Sequence, residues 1–164
     1  MIKKLNIFLL TMLGVGRSKF APGTVASFIT CLIYIFFYSF QFKIFFLIAG
    51  VMLISIYSAY SIDVFKNSFS NIDAKEIVID EFIGQSIPIL TIYALIEKNN
   101  FGHFILYTFI SFLLFRIFDI WKPYPIYIID ENMKNGLGVI LDDIVAGVYS
   151  IIVLIIIVFF INYV

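Results

Sequence analysis

Five carboxylates in this chain are set against long apolar runs: Asp80 and Glu81, Asp119, and Asp142 with Asp143. An ionised side chain at the centre of a lone membrane helix costs roughly 2.5–3.5 kcal/mol, and less near the interface. Acids in such places need a use. Carboxylates that face one another in apolar surroundings repel unless a proton or a cation lies between them, and a divalent cation is the economical answer.

The neighbours of these acids carry the chemistry further. Asp80 and Gly84 are four apart and share a helical face, so the glycine leaves room beside the carboxylate for a close helix or a ligand. The plainer reading is two acids stabilised by the dipole at a helix start. Arg116, Asp119 and Lys122 are spaced by three along one stripe, and Pro123 and Pro125 end the helix just beyond. Arginine suits bidentate phosphate binding and lysine a point charge on phosphate; the alternative is an intrahelical ion-pair ladder with Trp121 as an interfacial anchor. Asp142 and Asp143 point about 100° apart on a helix, so one can ligate a cation while the other orients it or faces a second helix. Ala146 and Gly147 keep the following turn slim. In the loop Gly14 to Thr24, glycines free the backbone to turn N–H groups toward an anion, and Thr24 can cap the helix that follows. A basic juxtamembrane loop facing anionic lipid explains the same residues.

Several chemistries lack their parts. There is one histidine, His103, which excludes a serine triad and a histidine zinc site. No C-x5-R motif follows Cys31, the single cysteine, and neither a Walker loop nor the D-x-D of haloacid dehalogenase phosphatases is present.

The elements that must position these residues are membrane helices. The 164 residues, read as a single domain over 1–164, are 62% hydrophobic and 13% charged, with a mean hydropathy of +1.06. A soluble domain is about 45–50% apolar, so lipid is the expected solvent, and disorder and a disulfide scaffold are excluded. Eleven basic residues balance eleven acidic ones, so no net field draws nucleic acid. Stretches able to cross about 30 Å of hydrocarbon are Val25–Phe40, Ile44–Ile62, Ile77–Ile96, Phe101–Trp121 and Leu137–Val164. The predicted fold is an all-α polytopic membrane bundle of about four to five transmembrane helices. The first two spans form a tight hairpin, and Leu5–Val15 reads as an interfacial entry segment rather than a cleaved signal peptide. Nine Lys and Arg residues (Lys3, Lys4, Arg17, Lys19, Lys66, Lys75, Arg116, Lys122, Lys134) fall on one side against Lys43 and Lys98 on the other. That asymmetry puts the first side, and all five carboxylates, toward the cytosol. His103 falls on the opposite side.

Taken together, Ala21-Pro22-Gly23-Thr24, Val78-Ile79-Asp80-Glu81-Phe82-Ile83-Gly84, Phe115 to Pro125 and Asp142-Asp143-Ile144-Val145-Ala146-Gly147 resemble the phosphatidylglycerophosphatase A family of bacterial membrane lipid phosphatases, over about Gly14 to Gly147. The chain departs from the family at Lys19, where proline is usual, and at Ala26, where glycine is. The resemblance implies a magnesium-dependent hydrolase of the bacterial cytoplasmic membrane that converts phosphatidylglycerophosphate to phosphatidylglycerol. On that basis Asp80, Glu81, Asp142 and Asp143 hold Mg²⁺. Arg116, Lys122, Gly23 and Thr24 bind the phosphate, and Asp119, Asp142 and Asp143 serve catalysis, with Asp119 orienting Arg116 or joining the metal shell. Water acidified by the cation is the expected attacking group, with an aspartyl-phosphate on Asp142 or Asp143 as the alternative. Two other classes compete. An ion-coupled carrier would place charges at the midplane within repeated halves, and a CDP-alcohol phosphatidyltransferase would gather its aspartates on one helix.

Overall fold

The computed structural model describes residues 2–65, 75–96 and 100–163, and every regular element among them is helical. Lys66 and Lys98 of the charge count, and Val164 of the last span, lie outside the described residues. The helices are α1 (Ile2–Leu10), α2 (Pro22–Ser39), α3 (Ile44–Phe65), α4 (Ile79–Leu95), α5 (Phe101–Trp121), α6 (Ile126–Asn132) and α7 (Gly136–Tyr163). Helices are what such a composition must form in lipid, where each backbone polar group needs a partner within its own segment.

Among the described residues, four helices are long and apolar enough to cross a membrane: α2, α3, α5 and α7. The expected third span, Ile77–Ile96, forms a shorter helix of 17 residues, about 25 Å long. Ile77 and Val78 precede it, and the Val78 N–H is taken by the Leu10 carbonyl at 3.1 Å. The first span starts three residues earlier than its apolar run, because Pro22 supplies a ready-made first turn. Of the expected entry segment Leu5–Val15, residues Leu5–Leu10 lie in helix α1, which packs on α3. It buries Leu10 and Asn6 while Leu5 and Phe8 stay exposed.

The short helix α4 is the centre of the bundle, touching α2, α3, α5 and α7. Accordingly it buries Ile83, Gly84, Gln85, Ser86, Pro88, Ile89 and Ile92, whereas α3 turns Phe45, Phe46, Met52, Leu53, Ile56 and Tyr60 outward as a lipid face would. Lipid tails are as apolar as leucine side chains, so close packing rather than hydrophobicity must join such helices. At the α4–α7 crossing a Cβ on Gly84 would lie 2.6 Å from the Asp143 carbonyl oxygen, and one on Gly147 would lie 2.5 Å from the Gly84 carbonyl oxygen. Pro88 has no N–H to offer that Gly84 carbonyl along the helix, and Gly147 packs against it instead.

Buried hydroxyls are satisfied mostly by their own helices: Ser27 donates to the Gly23 carbonyl (2.9 Å), Thr30 to Ala26 (2.9 Å), Ser86 to Phe82 (2.6 Å) and Ser150 to Ala146 (2.8 Å). The start of α7 is tied across the fold, with the Gly136 N–H donating to Asp63 Oδ1 of α3 at 2.8 Å.

Candidate active site

Alternation through the bundle brings the first turns of α2 and α4, the last turns of α5 and the early turns of α7 to one end. Contacts between side chains fix this juxtaposition. A Cβ on Gly23 of α2 would overlap Glu81 Oε1 of α4 and come within 3.2 Å of Arg116 Nη1 of α5. Only glycine lets α2 lie this close to the pair.

Asp80, Glu81 and Asp143 each offer an oxygen within 4.8 Å of the others. Asp80 Oδ1, Glu81 Oε2 and Asp143 Oδ2 are buried with no hydrogen-bond partner among the described residues. Buried polar atoms are normally paired, and three neighbouring carboxylates that each keep a buried, unpartnered oxygen are the kind of donor set a hard cation takes. These residues therefore fit a divalent metal.

The two adjacent aspartates of α7 diverge. Asp143 faces Asp80 and Glu81. Asp142 faces Lys122, whose Nζ donates to Asp142 Oδ2 at 2.9 Å, and its Oδ1 accepts the Asp143 N–H at 3.0 Å. Lys122 is also 2.9 Å from Asp130 Oδ1. Burial works against the Lys122 ammonium, but the hydrogen bonds and charges of Asp142 and Asp130 outweigh it and hold the pKa above the ordinary lysine value.

On α5, Arg116 Nη1 donates to Asp119 Oδ2 at 2.5 Å and lies 4.0 Å from Glu81 Oε1. Its Nε is buried with no partner among the described residues. The expected stripe of Arg116, Asp119 and Lys122 is thus broken at its last member. Lys122 closes α5 in the left-handed conformation (φ 46°, ψ 59°) and carries its side chain to α6 and α7.

The phosphate-loop reading is corrected in two places. The N–H groups of Gly14, Gly16, Arg17 and Ser18 are already bonded to carbonyls of the same turn, so they are not turned toward an anion. Ala21, rather than Thr24, occupies the N-cap of α2. Thr24 lies in the first turn, where its N–H and that of Gly23 precede the first intrahelical bond, Val25 N–H to the Ala21 carbonyl at 3.1 Å. His103 lies at the other end of the bundle, exposed and bonded to Asn100. Asp130 was missed by sequence reasoning: it lies in a charged stretch, Asp130-Glu131-Asn132, that reads as solvated surface.

The family model described as "Phosphatidylglycerophosphatase A" matches residues 8–158. A protein of Bacteroides thetaiotaomicron named "Putative phosphatidylinositol-3-phosphatase" is 33% identical over 153 residues, covering 92% of this chain and 91% of that protein. Phosphatidylglycerophosphatase A of Haemophilus influenzae is 40% identical over 81 residues, covering 49% of this chain and 45% of that protein. The Escherichia coli protein of the same name is 41% identical over 78 residues, covering 48% and 41%. No solved structure matches the chain.

Proposed function

Because the chain belongs to the phosphatidylglycerophosphatase A family, we propose that it removes the terminal phosphate of phosphatidylglycerophosphate at the end of the bundle where α2, α4, α5 and α7 meet. The enzyme class, a phosphoric monoester hydrolase, follows from that membership. The observation that carries the rest is the triad of Asp80, Glu81 and Asp143, three carboxylates within 4.8 Å, each with a buried unpartnered oxygen.

Asp80, Glu81 and Asp143 would hold Mg²⁺, with Asp142 beside them. When bound, the cation supplies positive charge against the phosphoryl oxygens and makes water more acidic. The chain's own residues do the remainder. Arg116 keeps its Nε for a phosphate oxygen while Asp119 fixes its plane, and charge building on the transferring group faces this guanidinium and the Lys122 ammonium. The first-turn N–H groups of Gly23 and Thr24 add donors for the phosphate. The water oxygen forms the new bond to phosphorus and gives up one proton, the bond to the headgroup oxygen breaks, and that oxygen takes up one proton and leaves as a hydroxyl, so that one water is divided between the two products. Direct hydrolysis is favoured over an aspartyl-phosphate because Asp142 is committed to Lys122 and Asp143 to the triad. Trapping labelled phosphate on either residue would overturn that preference.

The nine-to-two distribution of basic residues supports a site on the cytosolic face of a bacterial inner membrane. One observation favours a second substrate: the relative that matches along 92% of the chain carries the name of an inositol-lipid phosphatase. Both lipids are phosphomonoesters on a phosphatidyl headgroup. Phosphate release from each, measured side by side with and without a chelator, decides between them. Faster turnover of the phosphorylated inositol lipid would replace the glycerol substrate, and full activity in chelator would overturn the role of the triad.

A further inference from the structure

We propose that Asp130 of α6 is a positioning residue that fixes the Lys122 ammonium from the side opposite Asp142, leaving one of its three hydrogens for the phosphate of the substrate. The inference rests on the reading of Lys122 as a phosphate contact. Lysine carries three N–H donors on a flexible four-carbon stem. Here Nζ is 2.9 Å from Asp142 Oδ2 and 2.9 Å from Asp130 Oδ1, so two donors are spent on two different helices and one remains.

The backbone is arranged for the same end. Lys122 adopts a left-handed conformation that L-residues other than glycine and asparagine rarely occupy, which swings it off the Arg116–Asp119 stripe and toward α6. That helix is short, but it is anchored: Ile126 is fully buried, α6 packs on α7, and the Tyr149 hydroxyl donates to the Tyr124 carbonyl at 2.8 Å just before it. Asp130 therefore stands on a fixed base, outside the acid triad, with Lys122 as its ionic contact with the site. Ordering a lysine before the lipid arrives removes that cost from binding, so the effect belongs in substrate affinity rather than in the chemical step.

The test uses the full chain in detergent micelles with phosphatidylglycerophosphate, and inorganic phosphate as an inhibitor. Asp130→Asn should raise KM about tenfold, the scale of one charged hydrogen bond, with kcat changed less than about threefold. Inhibition by inorganic phosphate should weaken in parallel. Asp130→Glu should recover most of the loss, and Glu131→Gln, the exposed neighbour on the same helix, should match wild type. In a Lys122→Ala background, Asp130→Asn should add nothing. The Asp130 carboxylate is 30% exposed, so its neutralisation leaves the fold in place; should Asp130→Asn nevertheless fail to accumulate, Asp130→Ser read in the same way replaces it. A wild-type KM in Asp130→Asn, or an equal effect in the Lys122→Ala background, would overturn the proposal. If Lys122→Ala itself leaves KM unchanged, the phosphate role of Lys122 fails and Asp130 falls with it. A raised KM in Lys122→Ala beside a silent Asp130→Asn removes Asp130 alone.

Discussion

Replacing Gly84 with alanine is expected to lower kcat about 100-fold while the protein stays folded in the membrane. The magnitude follows from the α4–α7 crossing. The new Cβ would sit 2.6 Å from the Asp143 carbonyl oxygen and 2.7 Å from Phe115 Cε2. Phe115 is fully buried and the Asp143 oxygen is backbone, so neither yields cheaply. To bring 2.6 Å to ordinary contact at 3.4 Å, α7 must retreat by about 0.8 Å at Asp143 itself. That retreat draws one carboxylate of the triad away from the two on α4, and a misplacement on the order of 1 Å costs about 100-fold in rate. The stability cost is smaller. Overpacking costs about 1–3 kcal/mol, and alanine returns up to about 1 kcal/mol of helix propensity. The assay is phosphate release across a range of Mg²⁺ concentrations, alongside thermal unfolding in detergent. The control is Gly50→Ala on α3, where a Cβ meets nothing within 4 Å and activity should be unchanged. Wild-type kcat and wild-type metal dependence in a well-folded Gly84→Ala protein would refute the reasoning.

Asp80→Asn and Asp143→Asn should each abolish turnover without preventing membrane insertion, and an active, well-expressed variant would remove that residue from the site. Gly23→Ala should inactivate the enzyme, because the added methyl overlaps Glu81 Oε1 and presses on Arg116; retained phosphate release would show that α2 can move aside. His103→Ala should leave activity as it is, and an inactive variant would mean that the assignment of the two membrane faces is wrong.

The acids were legible in the sequence because charge among apolar residues is costly and so conspicuous. The angle between adjacent helical positions allowed Asp142 and Asp143 to diverge, but the metal set expected from the resemblance kept both, and only Asp143 joins Asp80 and Glu81 while Asp142 turns to Lys122. The place of Lys122 was not legible. Its spacing of three from Asp119 places it on a stripe only if the helix continues, and a left-handed φ of 46° ends α5 there. Asp130 was hidden for the opposite reason to the triad: an acid beside Glu131 and Asn132 in a connecting segment has no visible cost, and only the 2.9 Å approach to Lys122 gives it meaning. The glycine loop was misread because glycine permits an anion nest and an ordinary turn alike. The Gly14–Ser18 amides chose the turn. The central place of α4 was also beyond one-dimensional reading, since all the spans look apolar and only packing decides which of them lipid touches.

Asp143 lies on the last of the described helices, and that helix begins on a hydrogen bond from Gly136 to Asp63 of α3. During synthesis, the segments carrying Gly23, Asp80, Glu81, Arg116 and Asp119 all leave the ribosome before Asp143 does. A nascent chain stalled short of Gly136 therefore owns Arg116 and two of the three triad acids but lacks Asp143. Under the proposed function, phosphate release requires α7 to have docked, and turnover in a translation reaction reports that docking.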